Sequence, residues 1–343
     1  TTTLWTGAGG SPRAITNDAN SGDFQPDFIW TKGRNEAYEH QLYDSSRGAG
    51  TTKGLTSNDT NAEGHYSATY GYMSAINSNG FTGTAGTSGQ NAYFDTNAKT
   101  YVAWQWKCNG GTTSSNTVGT ITSTVQANTD AGFSIYTYTG TGAAGTVGHG
   151  LGGLPEMIIL KGRNTTSDWP VYIDPQKDGS LQFPKLNGTE ANIGNSPFTW
   201  DTTKFTFSSG SGYSNTSGTN YIAYAFRSIQ GYSKIGSYVG NGNANGTFVY
   251  TGFKPAMVIT KKISDTGNWT IYDNKRDPFN VADTVLLPNA TNADQTVINF
   301  DFVSNGFKCR NSGSENASST TYFYMAFAEN PFVTSTGIPT TAR

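Results

Sequence analysis

The chain contains three copies of one short segment. Each copy starts with proline, continues through a run of apolar residues and ends in lysine, at Pro26–Lys32, Pro155–Lys161 and Pro255–Lys261. A tyrosine follows each proline at one constant spacing, and these tyrosines are Tyr43, Tyr172 and Tyr272. Landmarks that recur in a fixed order indicate an array of small modules. Such an array is typical of structural and binding proteins, and it does not suit a single catalytic pocket.

Each copy also closes on a strand of one design, which contains Tyr101–Trp104, Tyr221–Tyr224 or Tyr324–Phe327. Alternate residues of a strand face opposite sides. Large residues share one face: Val102, Trp104 and Trp106; Ile222, Tyr224 and Phe226; Met325 and Phe327. The other face has the small residues Ala103, Ala223 and Ala326. We expect the large face to fill a core and the small face to let another layer or a partner come close.

The strands that follow the three prolines are apolar on both faces, which is typical of a central strand that is covered on both sides. Turns rich in Gly, Asn and Ser separate about six to eight predicted strands in each module. No stretch of the chain carries a convincing helical stripe. The sequence therefore predicts an all-β chain of three tandem antiparallel β-sandwich modules of a jelly-roll-like kind.

The composition supports strands and argues against several classes of function. Charged residues make up 13% of the chain, against about 25% in an ordinary soluble domain. The 42 glycines and 13% aromatic residues suit strands joined by tight turns. A net charge of -2 gives no basic face for nucleic acid. No apolar run is long enough for a transmembrane helix, so we expect no membrane partner.

The landmarks divide the chain into five predicted units. These are module 1 at residues 1–110, a linker rich in Thr, Ser, Asn and Gly at 111–130, module 2 at 131–231, module 3 at 232–332 and a C-terminal tail or linker at 333–343. The sequence starts without methionine and without a signal segment. We therefore expect a processed protein or one piece of a longer protein.

Candidate residues for catalysis, metal binding and cofactor binding are few. His40, His65 and His149 lack a Cys or His partner at the spacing of metal ligands, and no nucleophile elbow precedes a helix. Cys108 and Cys309 occupy non-equivalent places in their modules, so we predict free thiols and assembly in a reducing compartment. The sequence predicts a protein that is not an enzyme, with no cofactor and no identifiable metal-binding residue. Calcium in an Asn- and Asp-rich loop stays open, because no Asp-x-Asp-x-Asp-Gly run names its ligands.

An aspartate with a basic residue three positions later recurs in every module. The pairs are Asp44 with Arg47, Asp174 with Lys177 and Asp273 with Arg276. One interpretation is a ligand site that is repeated three times. The interpretation that we favour is a turn organised by the aspartate, beside an exposed ion pair that contributes about 0–1 kcal/mol.

Two aromatic residues at equivalent positions are candidate ligand-binding residues. Trp169 and Trp269 follow their prolines at the same spacing, and His40 takes that place in module 1. Flat exposed rings of this kind can stack on a sugar. The alternative is a pair of half-buried rings beside the strand of the landmark tyrosines, because aromatic residues in sandwiches usually fill cores.

The segment from Glu63 to Tyr72 is the best candidate for a binding loop. It is rich in Tyr, Ser and Gly, which are the residues of adaptable binding surfaces. Its tyrosines are Tyr66, Tyr70 and Tyr72, and the other modules lack this density of tyrosine. The alternative interpretation is the edge of a strand with three surface tyrosines.

The repeated segments resemble a known protein family. The residues that carry the resemblance are Pro26–Lys32, Leu42–Gly48, Ser78–Phe81 and Tyr101–Lys107 in module 1 and Trp269–Asp273, Ser304–Lys308 and Tyr324–Glu329 in module 3. They look like a repeated domain of unknown function in tail-fibre and other virion proteins of bacteriophages, many of them marine or cyanobacterial. Module 2 departs most, since Thr203–Phe205 replaces the Ser-Asn-Gly-Phe turn and Ile173 interrupts the Tyr-Asp pair. The resemblance implies no catalytic residues.

These patterns and the resemblance lead to one functional hypothesis. We expect a non-enzymatic phage structural protein, in a tail fibre or similar appendage, whose modules serve assembly and attachment to a host-surface glycan or protein. Its partners would be other virion proteins and further copies of the chain, as a homotrimer. It would assemble in the host cytoplasm and be exposed outside the cell as part of the virion. The alternatives are a capsid decoration protein, in which three modules mimic a trimer, a carbohydrate-binding adhesin and a polysaccharide depolymerase.

Overall fold

The computed structural model describes residues 1–17, 24–174, 183–191, 198–208, 212–333 and 339–340. Within these residues the chain is built almost entirely of β-strands in antiparallel sheets, and the single helix, α1, is Ser67–Tyr70. Pairs of sheets pack face to face as sandwiches. The predicted all-β fold of antiparallel sandwiches is therefore confirmed.

Module 1 contains a sheet of four strands and a sheet of three strands. Its strands are β1 (Thr2–Thr6), β2 (Arg13–Thr16), β3 (Phe28–Gly33), β4 (Gln41–Asp44), β5 (Tyr72–Asn77), β6 (Gly80–Thr84) and β7 (Thr100–Trp106). The four-stranded sheet has the order β1-β7-β3-β4, and we call it the inner sheet. The other sheet has the order β2-β6-β5, and we call it the outer sheet.

Module 2 repeats this strand order. Its strands are β8 (Ser114–Asn116), β9 (Ser123–Asn128), β10 (Phe133–Thr139), β11 (Gly145–Gly148), β12 (Met157–Gly162), β13 (Val171–Ile173), β14 (Phe198–Trp200), β15 (Lys204–Phe207) and β16 (Asn220–Phe226). The inner sheet contains β10-β16-β12-β13, and the outer sheet is β11-β15-β14. These seven strands therefore have the same order as their equivalents in module 1.

Module 3 has the same order with one additional strand. Its strands are β17 (Ser233–Val239), β18 (Phe248–Tyr250), β19 (Pro255–Lys262), β20 (Trp269–Asp273), β21 (Ala282–Val285), β22 (Gln295–Val303), β23 (Gly306–Cys309) and β24 (Thr321–Ala328). The inner sheet is β17-β24-β19-β20 and the outer sheet is β18-β23-β22-β21. A final hairpin pairs β25 (Phe332–Val333) with β26 (Pro339–Thr340). The rest of the predicted tail lies outside the described residues.

Residues 111–130, which we expected to be a linker, extend the inner sheet of module 2. β9 pairs with β10, and β8 pairs with β9, so this sheet has six strands. Val125 and Ala127 of β9 pack against the core of module 2. The expectation rested on composition, but a strand that is covered on one face needs only alternate apolar residues, and β9 has them.

The inner and outer sheets of each module enclose a sandwich core. In module 1 this core contains Ile15 and Phe81 from the outer sheet and Ile29, Tyr43 and Ala103 from the inner sheet. Separate sandwich cores fill modules 2 and 3. A stacked aromatic pair joins two neighbouring strands of each inner sheet. Trp5 of β1 stacks on Tyr101 of β7, Tyr138 of β10 on Tyr221 of β16, and Tyr238 of β17 on Tyr322 of β24.

The stacked pairs correct the predicted alignment of the third closing strand. Tyr322, rather than Tyr324, is the counterpart of Tyr101 and Tyr221, because the hydroxyl of each accepts a backbone N–H from the residue five positions before it. The predicted alignment is two residues out of register. Since side chains alternate with a period of two, this shift leaves every side chain on its predicted face.

One cross-strand pair exchanges a large and a small residue between modules. In module 2 Tyr136 lies opposite Ala223, whereas Gly236 lies opposite Tyr324 at the equivalent place in module 3. A Cβ on Gly236 would lie 3.0 Å from the ring of Tyr324. Glycine therefore makes room for the tyrosine, and the sandwich core keeps its volume although both residues of the pair have changed.

Candidate functional site

The three inner sheets meet in one shared core. A single cluster of buried residues draws on every module, with Trp30 and Trp104 from module 1, Ile159 and Tyr224 from module 2, and Met325 from module 3. These residues belong to the strands after the repeated prolines and to the large faces of the closing strands. The large faces therefore fill a core between the modules rather than a core inside each one.

The small faces of the closing strands point the other way. Ala103, Ala223 and Ala326 each belong to the sandwich core of their own module. The layer that comes close to them is the outer sheet of the same module. Each inner sheet is consequently covered on both faces, once by its own outer sheet and once by the neighbouring modules.

Three equivalent aromatic residues touch one another where the modules meet. The ring centroids of Trp106 and Phe226 lie 6.3 Å apart, those of Trp106 and Phe327 lie 5.7 Å apart, and those of Phe226 and Phe327 lie 6.3 Å apart. All three contacts are edge to face, which is a favoured geometry for aromatic pairs. Because each module contributes one corner, the modules form a closed ring, as the subunits of a cyclic trimer do.

Equivalent hydrogen bonds also join neighbouring modules. Trp169 Nε1 donates to the carbonyl oxygen of Thr56 at 2.9 Å, which joins module 2 to module 1. Trp269 Nε1 donates to the carbonyl oxygen of Lys185 at 2.8 Å, which joins module 3 to module 2. The two tryptophans are equivalent residues, so the same contact recurs at successive boundaries.

His40 makes the third link between modules, at the position where the other modules have tryptophan. Its Nδ1 accepts a hydrogen bond from Trp30 Nε1 at 2.9 Å, so the ring proton is on Nε2. Nε2 donates to the carbonyl oxygen of Leu287 in module 3, which is 2.9 Å away. Burial lowers the pKa of His40 well below its ordinary value. His40 is therefore a neutral link between modules 1 and 3, with both ring nitrogens engaged.

An asparagine holds the backbone at the start of each link. The backbone N–H groups of His40, Trp169 and Trp269 donate to the side-chain oxygens of Asn58, Asn187 and Asn289, respectively. The predicted site residues do not include these asparagines. The signal was present, because Asn58 and Asn187 follow their prolines at equal spacing and Asn289 stands only slightly later.

The recurrent aspartate organises a turn, but its ion pair is buried. Asp44 accepts the backbone N–H of Arg47 at 2.9 Å and the Nε of Arg47 at 2.5 Å. Asp273 makes the same bonds to Arg276, at 2.9 and 2.6 Å. The side chains of both pairs are at most 1% exposed, so the expectation of exposed pairs is wrong. The predicted partner of Asp174 lies outside the described residues.

Each of these two aspartates also accepts a hydrogen bond from a neighbouring module. Tyr224 OH of module 2 donates to Asp44 Oδ2 at 2.8 Å, and Trp104 Nε1 of module 1 donates to Asp273 Oδ2 at 3.1 Å. Tyr224 and Trp104 are equivalent residues, and the third equivalent, Met325, has no such donor. Burial and the charge of Asp44 raise the pKa of Tyr224, so its hydroxyl keeps its proton. The aspartate that builds the turn therefore also holds the adjoining module.

Two further carboxylates bridge arginines of adjoining modules. Glu63 accepts hydrogen bonds from Arg47 of its own module at 3.0 Å and from Arg163 of module 2 at 2.8 and 2.9 Å. Burial alone would raise the pKa of Glu63, but these guanidinium groups lower it below its ordinary value. Asp294 has the same arrangement. It accepts hydrogen bonds from Arg276 of module 3 at 3.1 Å and from Arg34 of module 1 at 2.7 Å.

The lysine that ends each repeated segment is buried as well. Lys32, Lys161 and Lys261 are at most 1% exposed, and burial lowers the pKa of each to about 8. Lys161 Nζ donates to the carbonyl oxygen of Thr60 in module 1 at 2.9 Å, and Lys261 Nζ donates to that of Thr189 in module 2 at 3.2 Å. Two of these landmarks of the sequence are therefore contacts between modules.

The structure places Trp169 and Trp269 inside the shared core. Both side chains are 0% exposed, so they are not half-buried either. A ring that stacks on a sugar must present a face to solvent, so the prediction of these two residues as ligand-binding residues is wrong. Their equivalence is real, and its physical reason is the hydrogen bond that each makes to the neighbouring module.

The structure leaves Tyr66, Tyr70 and Tyr72 near the surface of module 1. Tyr70 is 41% exposed, and the other two are half-buried. Tyr66 precedes α1 and Tyr70 ends it, whereas Tyr72 begins β5, an edge strand of the outer sheet. A binding role for these three tyrosines stays a prediction. Glu63, at the start of the same segment, is engaged in the contact with module 2.

Groups suited to metal binding or catalysis are scarce. Among the described residues, no group of three His, Cys, Asp or Glu side chains is placed to hold a metal ion. Cys108 and Cys309 are free, as predicted, and burial raises the pKa of each thiol to about 12. Both are therefore protonated and unreactive at neutral pH. In the described part of the chain, no helix is long and apolar enough to cross a membrane.

Comparison with known proteins identifies a family for this chain. A family model that is described as a domain of unknown function (DUF7483) matches residues 1–331. The matched range spans all three modules. No curated protein and no solved structure matches the chain.

Proposed function

This chain belongs to the family described as a domain of unknown function (DUF7483), and we propose that it is a non-enzymatic structural protein of a bacteriophage particle. In this proposal it belongs to a tail fibre or similar appendage. Its modules serve assembly with other virion proteins and with further copies of the chain, and attachment to a host-surface glycan or protein. The resemblance noted in the sequence is the reason for assigning the chain to a phage particle, and the shared core supports the structural role.

The shared core is the observation on which the proposal rests. The groups that recur in the sequence are the aromatic residues of the closing strands, Trp169 and its equivalents, the turn aspartates and the segment-ending lysines. In the structure most of these groups, among them Asp44, Asp273, Lys161 and Lys261, contact neighbouring modules or fill the space between them. Recurrent polar groups of an active site would instead converge on a cleft. Recurrence in this chain therefore favours construction over catalysis.

The closed ring also favours a second candidate function, a capsid decoration protein. Trp106, Phe226 and Phe327 form one contact triangle with a corner from each module. A single chain with this arrangement presents three similar surfaces around one axis, as a cyclic trimer does. Such a chain fits a threefold position on a shell, where each module would meet an equivalent neighbour.

Cryo-EM of the purified phage whose genome encodes this chain tests both candidates. We expect density that accepts the three modules as one rigid ring. A position in the tail or an appendage supports the first proposal, and a position at a threefold site of the shell supports the decoration protein. Mass spectrometry that finds no peptides of the chain in purified particles would contradict both.

A separate assay tests the non-enzymatic part of the proposal. The purified chain is incubated with surface polysaccharides of the host, and new reducing ends are measured over time. We expect no increase above a heat-denatured control. A steady release of reducing ends by the folded chain would identify a depolymerase and overturn the proposal.

A further inference from the structure

Module 3 contains a cavity of about 250 Å³. Its lining comes from both sheets, with Thr270 and Tyr272 on the inner sheet and Val297 on the outer sheet. Lys262 and Glu315 also line it. A cavity of this size is smaller than the sites of drug-sized ligands, so it suits a single small ring.

The residue that lines this cavity at position 315 differs from its counterparts. At each equivalent position the backbone carbonyl oxygen accepts a side-chain hydrogen bond from β1, β10 or β17. Phe94 accepts this bond from Trp5, Ser214 accepts it from Tyr138, and Glu315 accepts it from Tyr238. Phe94 is 0% exposed and packs against Tyr43 and Phe81 in the sandwich core of module 1. Module 3 therefore has a carboxyl group where module 1 has a ring that fills the core.

One oxygen of the buried carboxyl group of Glu315 lacks a partner, although Thr270 provides a side-chain hydrogen bond to the group. The residue is 7% exposed, and its Oε2 has no hydrogen-bond partner among the described residues. Burial raises the pKa of Glu315 to about 7, although Lys262 and Thr270 act in the opposite direction. An unpaired polar atom in such a place is unfavourable. A hydrogen-bond donor from a bound molecule would satisfy it.

The charges around the cavity select the class of that molecule. Lys262 lies on the same cavity as Glu315 and is 3.6 Å from the carboxylate of the exposed Asp265. Above pH 7, where Glu315 is ionised, an anion in the cavity would be repelled by Glu315, and a cation would be repelled by Lys262. A neutral hydroxyl group avoids both repulsions, because it can accept a hydrogen bond from the ammonium group and donate one to the carboxylate.

Further neutral groups complete the lining. Thr260 and Thr270 contribute hydroxyl groups and Asn299 contributes an amide, while Val285 and Val297 form an apolar wall. Hydroxyl groups around an apolar ring face match this combination. We propose that the cavity of module 3 binds one neutral, hydroxyl-rich ring of monosaccharide size, with Glu315 accepting a hydrogen bond from it and Lys262 donating one to it.

This inference rests on the attachment part of the proposed function, for which it names a site and a ligand class. Saturation-transfer NMR on the full chain tests it with a panel of neutral monosaccharides, and with acetate and methylammonium as charged probes. We expect saturation of at least one monosaccharide and of neither charged probe. Saturation of no monosaccharide by the folded chain, or of a charged probe in the cavity, would overturn the inference.

Variants locate the binding. Glu315→Gln keeps the shape but weakens the acceptor, and we expect about tenfold weaker binding, as for the loss of a charge-assisted hydrogen bond. Val297→Trp fills the cavity from the outer sheet and should abolish binding. Val239→Trp, at an exposed position of the same module outside the cavity, is the matched control and should leave binding unchanged, while Tyr70→Ala tests the tyrosine segment of module 1. Circular dichroism confirms that each variant is folded.

The outcomes separate this inference from the proposed function. Binding that survives both Val297→Trp and Glu315→Gln would place the sugar elsewhere and overturn the inference. Loss of binding in Tyr70→Ala alone would assign the site to module 1. Neither result changes where the chain lies in a particle, which cryo-EM measures independently.

Discussion

The indole ring of Trp106 lies edge-on against the phenyl ring of Phe327, with 5.7 Å between the centroids. These residues lie on the closing strands of the first and third modules, so the contact joins the two modules that are farthest apart in the sequence. Phe226 of module 2 touches both rings. Each module therefore has two neighbours within one chain, and its stability depends on both.

We expect the three modules to unfold in a single transition. Each inner sheet buries one face against the other two modules, so unfolding of one module would expose the shared core of the remaining pair. Differential scanning calorimetry checks this by comparing the calorimetric enthalpy with the van't Hoff enthalpy, which should be equal. Three resolved transitions would show that the modules are independent. Residues 232–332 alone should fail to fold.

Trp169→Phe is expected to lower the free energy of unfolding by about 1–3 kcal/mol, because the buried carbonyl oxygen of Thr56 loses its donor. Urea denaturation of the variant and the parent chain measures the difference. Trp200→Phe is the matched control, since Trp200 is half-buried and donates to Pro155 within its own module. A larger loss in the control would contradict the importance that we assign to the link between modules.

Asp273→Asn should be among the most destabilising single changes, by about 3–5 kcal/mol, because it removes the nearer of the two carboxylates on the buried guanidinium group of Arg276 and leaves only the ion pair with Asp294. The pair of the exposed Arg310 and the half-buried Asp301 provides the comparison. Arg310→Met should change the free energy of unfolding by only about 0–1 kcal/mol. Denaturant titrations of both variants under identical conditions measure the two values, and equal losses would contradict the prediction.

Acid is expected to weaken the link between modules 1 and 3. The pKa of His40 in the folded chain lies well below its ordinary value of 6.5, so the unfolded chain binds the proton first. The stability that His40 contributes is complete above pH 6.5 and is lost as the pH falls below that value. Urea denaturation across this range measures the slope. His40→Gln cannot take up this proton, so its free energy of unfolding should depend less on pH.

Glu315 should give a pH dependence of the opposite sign. Its pKa is about 7 in the folded chain and 4.5 ordinarily, so the unfolded chain loses the proton first. The stability contributed by Glu315 is complete below pH 4.5 and is lost as the pH rises through about 7. The difference in free energy of unfolding between Glu315→Gln and the parent chain should therefore grow in favour of the variant from pH 4.5 to 7. A constant difference would contradict this prediction.

The strands could be predicted because their alternation is a local property. The Ser-Asn-Gly-Phe turn is also a local signal. A Cβ on Gly80 would lie 2.0 Å from the carbonyl oxygen of Ile15, so glycine is needed there. The equivalent Gly306 has the same contact with Val249. In module 2 Lys204 replaces the glycine, and a glycine stands opposite it on β11 instead. A departure from the motif in the sequence thus has a local structural compensation.

The arrangement of the modules could not be predicted in the same way. An apolar face shows that something covers a strand, but it does not show whether the cover is a sheet of the same module or another module. Trp169 illustrates the difficulty, because its partner is a backbone carbonyl 113 residues away, which has no signature in the sequence. For the same reason, the buried pair of Asp44 and Arg47 looked like a surface pair until the neighbouring module was in place.

One position shows what a single polypeptide permits that an assembly of identical subunits does not. Identical subunits carry every substitution as many times as there are copies. Here the same place holds Phe94, Ser214 and Glu315, so one member of the ring can acquire a carboxyl group while the other two retain residues that suit a closed interior. Because the modules are joined in one chain, each can change on its own, and a substitution in one module leaves the residues of the other two unchanged.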